Sequence, residues 1–122
     1  MSTPRTVLVT GGNRGIGRAI AELKGDYAHK RVAICASGGI SHFVVDEDFD
    51  RRMLNAIRDR DTKTIFSEPE AMFRSGTSET KNWITVAGIL SETNLQMKLV
   101  DYVPSYRSEA GTGCGMAFAT WE

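Results

Sequence analysis

Apolar positions along this chain switch between a strand-like and a helix-like period, and the switches outline its elements. Val7, Leu8 and Val9 make a short continuous apolar run within 6–10, bounded by Gly11 and Gly12, which predicts a buried strand. Ile16, Ile20 and Leu23 share one face of a helix over 14–23. A second apolar run over 31–36 predicts another strand, and strand, helix and strand at this spacing form a βαβ unit whose two strands run parallel.

The clearest helix covers 46–60. Asp46 is its N-cap, acidic residues fill its first turn, and Phe49, Met53, Leu54 and Ile57 recur at helical spacing. Its other face reads as a solvated charge surface. A loop over 63–69 and a short helical piece ending near Arg74 lead to a break at Ser75-Gly76. A further helix spans 78–91, with Trp83, Val86, Ala87 and Leu90 as its apolar stripe. Strands over 97–103 and 115–121 close the chain as an antiparallel pair. The predicted fold is α/β, a small mixed sheet with helices packed on it that begins with the βαβ unit.

Composition narrows the function without naming it. At 122 residues the chain suits one domain that buries roughly two-thirds of its unfolded surface. Fifteen basic and fifteen acidic residues balance, so no net field draws it to nucleic acid or an anionic membrane. The longest apolar runs are too short to span a bilayer, and no signal-peptide pattern opens the chain, which points to the cytoplasm. Cys35 and Cys114 are isolated and form neither a disulfide framework nor a metal-binding CxxC pair; reduced, structural thiols are expected.

Thr10-Gly11-Gly12-Asn13-Arg14-Gly15-Ile16-Gly17 would let the backbone turn tightly and bring free N–H groups at a helix N-terminus toward a pyrophosphate. The stretch resembles the TGxxxGxG turn of short-chain dehydrogenases/reductases. That resemblance implies NADP or NAD contacts from Thr10, Gly11, Asn13, Arg14, Gly15, Ile16 and Gly17. A glycine turn without a ligand remains the alternative. The family's Tyr-xxx-Lys pair is absent: Arg31 follows Tyr27 at that spacing, Tyr106 follows Tyr102 and Ala110 follows Tyr106. Ser37 stands where an acid for the ribose is common, so the pattern permits NADP only weakly and gives no NAD signature.

A second and longer resemblance begins near residue 30. Ala36-Ser37-Gly38-Gly39-Ile40-Ser41-His42 delivers a histidine at the end of a strand, and Ser75-Gly76-Thr77-Ser78-Glu79-Thr80-Lys81-Asn82-Trp83 presents a carboxylate. With the blocks 99–104 and 109–114 they resemble, in order, the C-terminal part of class III extradiol ring-cleavage dioxygenases, the LigB-like family. The resemblance implies a non-haem Fe(II) enzyme that opens catechol-type rings with O2, with a small aromatic diol as substrate. His42 would be the acid/base residue and Glu79 the iron-binding carboxylate. Imidazole suits such proton transfer near neutrality, and a site of two histidines and one carboxylate suits Fe(II) with open positions.

Ordinary roles stay open beside these. His42 can be a loop histidine bonded to backbone, and Glu79 a first-turn partner of the helix dipole. Ser41 can orient the imidazole or only form the turn. Tyr106 to Gly113 can line an aromatic pocket, and Arg107 can meet a substrate carboxylate or pair with Glu109 or Asp101.

The family's two iron-binding histidines lie upstream of the Ser-Gly-Gly-x-Ser-His block and have no counterpart here. Only His29 joins His42. The iron site is therefore expected to be incomplete in the isolated chain, to be filled if at all by a partner or identical subunit. The single domain 1–122 then has two parts that resemble different families: a dinucleotide-turn-like opening over 1–24 and a dioxygenase-like portion over 30–122.

Overall fold

A computed structural model describes Thr6–Thr10 and residues 31–122, with side chains from residue 33 onward. Strands β1 (Thr6–Thr10) and β2 (Arg31–Cys35) pair in parallel, Thr6 against Arg31 through Thr10 against Cys35. This is the pairing that a βαβ unit requires. Its connecting helix over 14–23 lies outside the described residues, as do His29 and the glycine turn after Thr10.

The remaining strands are β3 (His42–Val44), β4 (Met97–Tyr106) and β5 (Thr112–Trp121). They form an antiparallel sheet in the order β3-β5-β4. The fold is α/β as the sequence leads one to expect, with its strands divided between a parallel pair and this antiparallel sheet. Strand β3 is not foreshadowed by the apolar pattern. It is only three residues long and exposes Phe43 and Val44, so it exists through its pairing with β5 and not through burial. The β4–β5 hairpin is longer than predicted at both inner ends, with a bulge between Leu99 and Asp101.

Helix α1 (Glu47–Arg58) forms where the sequence puts it. Asp46 accepts a hydrogen bond from the Phe49 N–H at 2.9 Å, and Glu47, Asp48 and Asp50 lie at the positive end of the helix dipole. The helix ends at Asp59, followed by Arg60 in the left-handed region (φ 56°). Arg60 then reaches the carbonyl oxygens of Ser91, Thr93 and Leu95, the last at 2.7 Å.

Residues 63–67, expected to be loop, are helical: α2 (Thr62–Ser67) starts because Asp61 accepts from the Thr64 N–H at 3.0 Å. Two short 3-10 turns, Glu70–Phe73 and Ser75–Thr77, then lead into α3 (Thr80–Leu90).

Phe49, Met53, Leu54 and Ile57 of α1 form the core with Ile40, Ile65, Phe73, Trp83 and Met97. Leu99, Tyr102, Ala117, Ala119 and Trp121 pack against them from the sheet. Val86 of α3 is also buried, while Ala87 is half-buried against the core. No helix among the described residues is long and apolar enough to cross a membrane. Both thiols are free; Cys35 is exposed and so does not fill the structural role expected of it, whereas Cys114 is half-buried.

Candidate functional site

The glycine turn between β2 and β3 lies against the N-terminal end of α3. Trp83 Nε1 donates to the Gly38 carbonyl at 2.9 Å, Asn82 Nδ2 to the Ser37 carbonyl at 2.9 Å, and Thr80 Oγ1 to the Ile40 carbonyl at 3.1 Å. Three positions in the first turn of one helix, Thr80, Asn82 and Trp83, thus satisfy carbonyls of a turn that has no ladder of its own. Glu79 immediately precedes this helix. Its spacing from Trp83 puts both on the side that meets the turn.

There Glu79 meets His42. Glu79 Oε2 and His42 Nε2 are 3.0 Å apart, and His42 Nδ1 lies 3.0 Å from the Gly76 carbonyl oxygen. Both ring nitrogens face acceptors, an arrangement that the doubly protonated ring satisfies with two donated bonds. The side chains are 27% and 47% exposed respectively, so solvent or a small molecule can reach the pair.

The backbone around the contact is unusual. Phe43, next to His42, has φ 69°, and Ser75, next to Gly76, has φ 54°. Left-handed conformations in non-glycine residues cost of order 1–3 kcal/mol each and gather at functional sites. Here they flank both partners of the His42–Gly76 hydrogen bond.

Below this surface lies a cluster that the sequence reading missed. Asp50 of α1 is fully buried, as is Ser41. Ser41 Oγ donates to Asp50 Oδ2 at 2.8 Å and Tyr102 OH donates to the same oxygen at 2.6 Å. Ser41 Oγ in turn accepts from the Asp46 N–H at 3.1 Å. Asp50 Oδ1 is buried with no hydrogen-bond partner among the described residues.

Burial pushes the Asp50 carboxyl above the ordinary range, against the pull of the Tyr102 and Ser41 hydroxyls. Tyr102 is itself held protonated to well above its usual value by burial and by its bond to Asp50. Burial likewise raises the Cys114 thiol, with Asp50 and Glu79 adding to the effect, which makes it a poor nucleophile. A sequence signal for Asp50 did exist: it precedes Met53 and Leu54 by three and four residues, on the apolar stripe.

Of the residues singled out from sequence, His42 and Glu79 meet, while Ser41 turns its hydroxyl inward to Asp50. Arg107 makes no ion pair with Glu109 or Asp101 among the described residues. Arg107 and Glu109 instead line a shallow concavity at the β4–β5 turn with Tyr106, Ser108 and Gly111, and His42 and Glu79 are not part of its lining. Tyr106 OH donates to Glu47 Oε2 at 2.6 Å. Thr10 ends β1, and Gly11, Asn13, Arg14, Gly15, Ile16 and Gly17 lie outside the described residues.

A resident iron centre of the kind the resemblance implies takes two imidazole nitrogens and one carboxylate on one face. Both His42 nitrogens already face oxygen acceptors, which leaves Glu79 as the one ligand this site offers. The described donors do not fit a complete iron site. No family model, curated protein or solved structure matches the chain.

Proposed function

We propose that residues 30–122 carry the acid–base half of an extradiol-type ring-cleavage site, incomplete and weakly active or inactive as an isolated chain. The observation that carries this reading is the 3.0 Å contact between His42 and Glu79, two residues from separate segments, partly exposed and set in strained backbone. A hydroxyl of a catechol-class diol entering beside the pair would donate to Glu79. His42, released from that carboxylate with its Nε2 proton, would give that proton to a substrate oxygen and then, as the neutral ring, take one back at Nε2 from the second hydroxyl. The redox step of ring opening with O2 would need Fe(II), which the described donors do not fit.

The test is an NMR titration of the protein with a catecholic acid, following the His42 ring. The expected result is a saturable shift that Glu79→Ala abolishes; an unmoved ring overturns the reading. Anaerobic calorimetry with Fe(II) is expected to show only weak binding. Tight binding that depends on Glu79 would mean that further ligands are supplied and would overturn the incompleteness.

One observation favours a second reading. The parallel register of β1 and β2 is what a dinucleotide-type βαβ opening needs, and Thr10 ends β1 at the start of the glycine motif. An NAD(P)-binding module without the Tyr/Lys pair would bind NADPH and lose it in Gly15→Val. Unchanged NADPH fluorescence on mixing would sink this alternative.

A further inference from the structure

The pair is exposed, yet the residue on the N-terminal side of His42 is anchored in the fully buried interior. Ser41 Oγ bonds to Asp50, its carbonyl accepts from the Gly115 N–H at 2.8 Å, and Ile40 N–H donates back to the Gly115 carbonyl at 2.8 Å. Asp50 is held in turn by Tyr102. Two elements, α1 and β5, thus clamp the residue just before His42, and β4 steadies the clamp from behind through Asp50.

The fit at Gly115 is tight. A methyl group on its α-carbon would stand 2.8 Å from Asp50 Cγ and 2.9 Å from Ser41 Oγ. The carboxylate and hydroxyl occupy the space that a side chain on β5 would fill. On the C-terminal side of His42, Phe43 pairs with Gly113 in the β3–β5 ladder, but its side chain is exposed and its φ left-handed, so it is held through backbone alone. The buried side-chain anchor beside the ring is Ser41.

We infer that Asp50 is the positioning residue of the site: through the Ser41 hydroxyl it fixes the backbone entering His42 and so aims the imidazole at Glu79 and Gly76. The inference rests on the reading of His42 and Glu79 as the functional pair. Asp50 touches neither of them. Tyr102 steadies the same carboxylate from the other side without touching Ser41, and this separates positioning from general support of the fold.

The experiment uses the protein without metal or substrate, so that it stands whatever the outcome of the catechol and iron tests. The α-carbon face of Gly39 lies against His42 Cε1, with 3.2 Å between that atom and the place a β-carbon would take. A nuclear Overhauser contact between His42 Hε1 and a Gly39 Hα proton therefore reports the ring's aim. Ser41→Ala is expected to abolish this contact and shift the ring signal. Asp50→Asn, which keeps an acceptor for both hydroxyls, is expected to preserve them.

Tyr102→Phe is expected to lower the melting temperature yet leave the contact in place. Retention of the contact in folded Ser41→Ala overturns the proposal. If Ser41→Ala does not fold, Asp50→Ala, which removes the acceptor of the Ser41 hydroxyl, takes its place and is expected to lose the contact; retention there overturns the proposal. Loss of the contact in Tyr102→Phe shows that any damage to the cluster disturbs the ring, and loss in Asp50→Asn shows that the acceptor is not what matters; either overturns the proposal.

Discussion

Gly38 and Glu79 fit together with no room for a side chain on the glycine. A methyl group there would lie 2.7 Å from Glu79 Cδ and closer still to its Oε2, and Gly38 itself has φ 108°. Gly38→Ala would therefore force a left-handed alanine and push the carboxylate off His42. Backbone strain of that kind costs about 1–3 kcal/mol. Urea unfolding is expected to show a loss in that range, together with loss of the His42 ring shift on addition of a catecholic acid. A variant as stable as the parent would mean that the turn relaxes freely.

Removing the ion pair itself has a different signature. Because His42 and Glu79 are both partly exposed, their mutual attraction contributes only about 0–1 kcal/mol to stability. Glu79→Gln is accordingly expected to change the unfolding free energy by less than about 1 kcal/mol while abolishing the response to the diol. A drop of several kcal/mol in the denaturation midpoint analysis would instead identify the pair as a clamp of the fold.

Much of this arrangement is legible in the sequence where one local rule decides. Asp46 caps α1 as its position before an acidic first turn implies, and the Glu79-to-Trp83 spacing puts both residues on the side of α3 that meets the glycine turn. Other features depend on long-range partners that no local window contains. β3 owes its existence to β5, whereas helix α2 follows from a local signal, the Asp61 cap, masked by the turn-forming residues around it. Asp50 is the instructive case. Its charge and first-turn position suggest a solvent-facing helix-dipole partner, but its place beside Met53 and Leu54 on the stripe carries it inside, where Ser41 and Tyr102 supply hydrogen bonds from residues distant in sequence. The contact of His42 with the Gly76 carbonyl was equally hidden, since it depends on two left-handed residues that nothing in their side chains announces.

Trp83 ties α3 to the turn that carries the site. Its ring is buried and its Nε1 donates to Gly38 O at 2.9 Å. Trp83→Phe keeps an aromatic side chain but leaves that carbonyl without its donor, at a cost of roughly 1–3 kcal/mol. Asn82→Ala removes the neighbouring bond to Ser37 O, which is exposed where the Trp83 bond is part-buried, so that water replaces the donor more readily. Its cost is expected to be smaller, about 0.5–1 kcal/mol. Parallel chemical denaturation of the two variants tests the order; equal losses would show that the Trp83 bond adds nothing beyond its exposed neighbour.

Asp50 makes the folded state sensitive to pH in a direction opposite to that of an ordinary paired carboxylate. Burial raises its pKa, the nearby Asp46 charge adds to this, and the Tyr102 and Ser41 hydroxyls only partly oppose it. In the unfolded chain Asp50 gives up its proton near the ordinary value of 3.8, whereas the folded protein keeps it to higher pH. Between those values the native state binds the extra proton, so this residue's contribution to stability falls as pH rises. It is fully favourable below the unfolded value and fully lost above the raised native one. Asp59 and Asp61, whose carboxyls are lowered by the Arg58 guanidinium and the Thr64 hydroxyl respectively, act in the reverse sense but are common to parent and variant. The difference between the parent and Asp50→Asn therefore isolates Asp50. With unfolding free energies measured across the acid range, the asparagine variant is expected to gain on the parent as pH rises above about 3.8, because it places no charge in the cluster and leaves no ionised Oδ1 without a donor. A parent that gains on the variant over the same interval would mean that the two hydroxyls stabilise the ionised carboxylate more than burial penalises it.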